Sequence, residues 1–194
     1  MRKKTLAIAL AVIAIVSVVT TGTLAWLSAQ TDPITNTFSP STIGLELEET
    51  TGAAYKMVPG ATIAKNPKVT VTAGSEACYV FVKIEKVNNF ANYMSYQIGT
   101  DWTELTAGSG IYYIELTAVE AAAGQEYPVL LNNQVTVLNT VTKAMMDGLT
   151  NAANYPKLVI TAYAIQSANL PGTGANGAAT PAEAWALASA QGNQ

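Results

Sequence analysis

Apolar and polar residues alternate in short runs along most of the chain. "TIGLELEE" sets Ile43, Leu45 and Leu47 on one face and Gly44, Glu46 and Glu48 on the other, the period-two pattern of a strand with one buried and one wet face. Pro59-Gly60 marks a turn, "KVTVT" puts Val69 and Val71 on one face, and "AGSE" is a further turn. "ACYVFVKIEKV" is the longest predicted strand. Cys78, Val80, Val82 and Ile84 share one face; Tyr79, Phe81, Lys83 and Glu85 share the other, which begins aromatic and ends charged. "IYYIEL", preceded by Gly108-Ser109-Gly110, pairs as a hairpin with the "DWTEL" segment. "MSYQI" and "NQVTVLN" are shorter strands. "KLVITAYAI" is apolar on both faces, which predicts a central strand buried on both sides.

Helical spacing occurs twice. "TVTKAMMDGLTNA" places Val141, Met145 and Leu149 along one side. "TPAEAWALASA" opens with Thr180, Pro181 and Glu183, a capping box with proline at the first helical position, and predicts a helix over 180–190 anchored by Trp185. Residues 167–180, rich in Gly, Ala and Asn, are expected to form a flexible surface loop. Many short strands with turns about every ten residues indicate an all-β domain, an antiparallel jelly-roll β-sandwich with one or two short helices in the C-terminal half.

The N-terminal segment differs. "MRKK" precedes the uncharged Leu6–Val19 run, and Thr23 and Ala25 stand at the −3 and −1 positions of a signal-peptidase cut before Trp26. A basic start, an apolar middle and small residues at the cut make a secretory signal over 1–25. An uncleaved membrane anchor is the alternative, although the strongly apolar part is short for a span of about 20 residues. Cleavage removes 25 of 194 residues, leaving one domain over 26–194. It also removes three of ten bases and none of thirteen acids, for a net charge of −6. A polyanion is repelled by that charge, so nucleic acid is not an expected partner.

No histidine is present. That excludes Ser-His-Asp and Cys-His catalysis and the H-E-x-x-H zinc site, and no cofactor, metal or catalytic residue is expected. Asp101 and Glu104 bracket Trp102 in the manner of a sugar subsite, but flanking charges around a core tryptophan explain them. Glu46, Glu48 and Glu49 lie together without a calcium-loop pattern. The lone Cys78 reads as a buried small hydrophobe.

Taken in order, "GTLAWLS…TDPITNTF", "VPGATIAKNPKVTV", "ACYVFVKIEKV", "DWTEL", "IYYIEL" and "KLVITAYAIQSAN…AEAWA" resemble the TasA/camelysin (CalY) family of exported Gram-positive proteins. The resemblance spans essentially the whole chain. It implies a jelly-roll domain, cleavage after Ala25 by a SipW-type signal peptidase, and a place in extracellular biofilm matrix fibres. The implied partners are further copies of the chain and related fibre subunits, with the membrane involved only through the uncleaved signal. In that family a freed N-terminal strand completes the sheet of the next subunit. The chain departs from the main fibre protein in its shorter length and in a Trp-Leu rather than Ala-Phe mature start. Camelysin is also described as a metalloprotease, which the absence of histidine does not support.

The freed segment would be 26–38. Trp26 and Leu27 begin it, Ile34, Asn36 and Phe38 share one face of "ITNTF", and Pro33 interrupts the ladder between the two pieces. Thirteen extended residues reach roughly 40 Å. Burying Leu27, Ile34 and Phe38 is worth roughly 5–9 kcal/mol before ordering costs. Such a strand can add to an open sheet edge of a sister molecule or pair within its own subunit. A monomeric cell-surface binding module, an adhesin or glycan binder using Trp102 or the Tyr112–Tyr113 face, is the competing expectation.

Overall fold

The computed structural model describes residues 42–51 and 55–191, all within the unit Pro40–Gln194. Ten strands are formed: β1 (Leu45–Glu48), β2 (Thr62–Ala64), β3 (Lys68–Val71), β4 (Cys78–Val87), β5 (Met94–Ser95), β6 (Thr103–Glu104), β7 (Ile111–Leu116), β8 (Gln125–Pro128), β9 (Gln134–Val137) and β10 (Lys157–Gln166). They make three antiparallel sheets, ordered β1-β3-β8, β10-β4-β7-β6 and β2-β9-β5. Among the described residues there are four short α-helices: α1 (Phe90–Tyr93), α2 (Ala118–Ala123), α3 (Lys143–Asp147) and α4 (Pro181–Gln191). The protein is mostly β, as the alternation requires. The all-β expectation holds at that level.

β4 organises the packing. Its Cys78, Val80, Val82 and Ile84 face a core that includes Val69, Val71, Trp102, Tyr127 and Val135, drawn from both three-stranded sheets and their connections. Tyr79 and Phe81 point the other way, into a second core closed by Ala184 and Ala188 of α4. Lys83 is half-buried and Glu85 exposed, so the aromatic-to-charged gradient read from the sequence is present. Phe81 lies 5.4 Å from the Trp185 ring centroid, and Tyr163 meets Trp185 edge-on at 5.1 Å. The small alanines let α4 approach the sheet, and Trp185 covers the seam.

Local signals explain the connections. Gly60 has φ +77° at the third position of the Val58–Ala61 turn, and Ala61 N–H donates to Val58 C=O at 3.0 Å, a geometry that favours Pro-Gly. The Trp102 hairpin forms as expected, with Thr103 opposite Tyr113 and Glu104 opposite Tyr112. The capping box of α4 is present: Thr180 N–H donates to Glu183 Oε2 at 2.8 Å, and Glu183 N–H to Thr180 Oγ1 at 3.4 Å. The same carboxylate accepts from Thr173 N–H and Thr173 Oγ1 at 3.1 and 2.9 Å, tying segment 167–180 to the helix.

Three expectations need correction. "KLVITAYAI" is not central: β10 is an outer strand, and β4 and β7 are the inner strands of that sheet. Nor is it buried on both sides: Ile165 is buried, Leu158, Ile160, Ala162, Tyr163 and Ala164 are half-buried and Val159 is exposed, and nothing in its own alternation specifies a lateral neighbour. The helices number more than one or two. α2 has its own capping box, Thr117 with Glu120, ahead of an alanine run, and α1 is a single turn that buries Phe90. The second predicted helix shrinks to Lys143–Asp147, with Val141 buried just ahead of it and Leu149 just after.

Phe81→Ala should destabilise the protein by about 3–5 kcal/mol in denaturant unfolding, because it empties the contact between β4 and α4. The backbone and side-chain donors of Thr180 and Thr173 hold the Glu183 carboxyl down to about 2, against an ordinary 4.5. A lowered folded value makes the latch fully effective above about pH 4.5, and its contribution is lost as the pH falls toward 2. Glu183→Gln should therefore melt below the parent at pH 6, and the gap should close on acidification.

Candidate functional site

The outer edge of β10 is the longest strand edge without a partner strand among the described residues. β10 pairs with β4 over ten residues, from Lys157 opposite Val87 to Gln166 opposite Cys78. Ser167 N–H donates to Ala77 C=O at 2.9 Å, and Ile84 N–H turns the other way, to Gly110 C=O at 2.8 Å. This phase sends the N–H and C=O groups of Val159, Thr161, Tyr163 and Ile165 toward β4. Those of Leu158, Ile160, Ala162, Ala164 and Gln166 point outward. Among the described residues no strand pairs with that edge.

Other sheet edges are short or charged. β2 has three residues, β5 and β6 two each, β1 carries Glu46 and Glu48, and β8 contains Glu126 and ends at Pro128. Such features discourage the docking of another strand. β10 has Lys157 at its start and no charge from Leu158 to Gln166. Beside its second half runs the start of β1, with Ile43 and Leu45 facing Ala162 and Ala164 across a cleft of about 340 Å³. Cα atoms of the two strands come within 8 Å, whereas a strand inserted between two edges needs about 9.5 Å. Addition there requires β1 to shift outward.

Next to the first half of β10 lies a larger groove of about 790 Å³. Ile63 of β2, Met94 of β5, Met146 of α3, Leu149 and Leu158 line it, with Phe90 of α1 buried behind them. Asn88 stitches the chain ahead of β10 to the end of β4, donating through Nδ2 to Ala153 and Tyr155 C=O at 2.6 and 2.9 Å. Neither the edge nor the groove was read from the sequence. Pro156-Lys157 followed by nine uncharged residues was the available signal for the edge; the groove has no local signature.

The residues singled out for processing and assembly, Thr23, Ala25, Trp26, Leu27, Ile34, Asn36 and Phe38, lie outside the described residues. Trp102 is buried, and its Nε1–H donates to Pro128 C=O at 2.9 Å, so its indole is not available to stack on a sugar. Asp101 and Glu104 are exposed to either side of it, and Glu104 accepts from Gly108 N–H at 2.9 Å. Tyr112 and Tyr113 are half-buried. Glu49 engages Lys65 at 2.7 Å, and Glu48 lies 3.6 Å from Lys68. Among the described residues no group of three or more acidic or thiol side chains is placed to hold a metal ion. Cys78 is fully buried and its thiol is pushed up to about 11 by that burial, which makes it a poor nucleophile at neutral pH.

The backbone phase has a direct readout. In amide hydrogen exchange on the monomer, Leu158, Ile160, Ala162, Ala164 and Gln166 should exchange much faster than Val159, Thr161, Tyr163 and Ile165. Uniform protection along β10 would mean that another strand already occupies its edge.

No family model matches the chain, and neither a curated protein nor a solved structure matches it.

Proposed function

We propose that the chain is an exported, non-enzymatic structural subunit or accessory of extracellular matrix fibres of a Gram-positive bacterium. Its sheets form a jelly-roll sandwich, and it polymerises with itself or with related subunits. After a SipW-type peptidase cuts behind Ala25, the segment Trp26–Phe38 adds as a strand to the β10 edge of a sister molecule. The observation that carries the proposal is the uncharged outer edge of β10, with five residues' backbone groups directed outward. Ladder bonds along that edge supply affinity, and alternating side chains such as Ile34 and Phe38 set the register. The resemblance of the ordered motifs to TasA and camelysin supports the export and fibre parts.

Unpaired backbone on a long apolar edge is a liability in a monomer that stays dispersed. In a fibre subunit the same edge is the acceptor. A single joint gains a few net hydrogen bonds of about 1 kcal/mol each plus the buried side chains, against the cost of ordering the donor.

Two experiments address this. Purified protein starting at Trp26 should form filaments in negative-stain micrographs, and deletion of 26–38 should abolish them. In the filaments the amides of Leu158, Ile160, Ala162, Ala164 and Gln166 should become protected. Dispersed monomers under all conditions, or recovery of secreted protein with its leader lysines attached, would overturn the proposal.

A further inference from the structure

We propose that the groove beside the first half of β10 binds a single-chain amphiphile with an anionic head, of the long-chain fatty acid type. The inference stands apart from fibre assembly. It rests on how the groove grades from wall to rim. Phe90 and Val135 behind it are buried, and Met57, Met94, Met146 and Leu149 along it are half-buried. Its rim residues Tyr55, Lys56, Tyr155 and Lys157 are exposed. The volume of about 790 Å³ falls in the ordinary range of small-molecule sites. Three of the wall residues are methionines, whose unbranched side chains adapt to chains of differing shape.

Charge selects the head group. Seven lysines and twelve acids occupy the described residues, and the groove takes three of those lysines, Lys56, Lys65 and Lys157, with one acid, Glu49. Glu49 is engaged with Lys65, at 2.7 and 2.9 Å. Lys56 and Lys157 have no ion pair among the described residues. An acidic body thus presents a locally basic rim above an apolar wall. A peptide brings an N–H and a C=O with every residue, each needing a partner. A molecule with one polar end and an apolar body matches a groove whose exposed polar side chains sit at the rim.

The chain's five methionines make the site readable. Met57, Met94 and Met146 line the groove; Met145, the other methionine among the described residues, does not. In the full chain with ¹³C-methyl methionine, dodecanoate should shift the three groove signals saturably and leave Met145 unmoved. Decanoate, two methylenes shorter, should bind about 16-fold more weakly, at about fourfold per methylene. Dodecyltrimethylammonium, with the same chain and the opposite head, should bind at least about tenfold more weakly than dodecanoate. Lys56→Glu with Lys157→Glu, both at exposed positions, should weaken dodecanoate by a similar factor, the size of a lost charge-assisted contact. Shifts confined to Met1, equal response to both heads, or no effect of the lysine reversals would overturn the proposal. So would a synthetic Trp26–Phe38 peptide moving the same three signals at lower concentration, which would give the groove to assembly. Filament formation scored separately by microscopy keeps the two proposals distinguishable: either can fail alone.

Discussion

The fold depends on burying the first half of β4 on both of its faces. Cys78, Tyr79, Val80, Phe81 and Val82 are all nearly inaccessible, so two different layers must be supplied. Strands from both three-stranded sheets supply one, and α4 supplies the other. Each five-residue stretch of this kind withdraws several large side chains from water, at about 1.5–3 kcal/mol apiece. With one cysteine and so no internal disulfide, this burial is the main source of cohesion. Trp102 and Trp185 finish the two layers. The first sits fully inside, with its indole N–H bonded to Pro128 C=O; the second lies over Phe81 and Tyr163.

Once β4 is placed, its neighbours are determined on both sides, and β10 inherits the outside position. The sheet ends there among the described residues, while β10 itself remains long, regular and uncharged from Leu158 onward. Most of its side chains are partly covered by the two cores, and among the described residues one side of its backbone has no partner strand. That combination separates it from the other edges, which are interrupted by length, charge or proline. A strand held through its ladder to β4 and left without a described partner on its other side can accept another strand once β1 moves aside.

The same boundary produces the groove. β10, β2, β9 and β5 contribute to its lining from two different sheets. Among the described residues, apolar side chains there have no opposing layer of the kind that α4 provides elsewhere. Lys56 and Lys157 at the opening are exposed on a body in which acids outnumber bases. Edge and groove share Leu158 at the start of β10.

Which residues point inward was decided locally. Alternation in β3 and β4, the Pro59-Gly60 turn and the Thr180–Glu183 cap were legible because each depends on neighbours a few positions away. The α2 capping box was equally local and was written in Thr117 and Glu120. What the sequence could not specify is lateral pairing. "KLVITAYAI" has two apolar faces, and that tells which side chains are covered, not whether a second strand lies alongside. β10 became an edge because β7 took the other side of β4 through contacts far apart in the chain. The groove likewise exists only where segments distant in sequence converge, and convergence is a property of the packed body rather than of any one stretch.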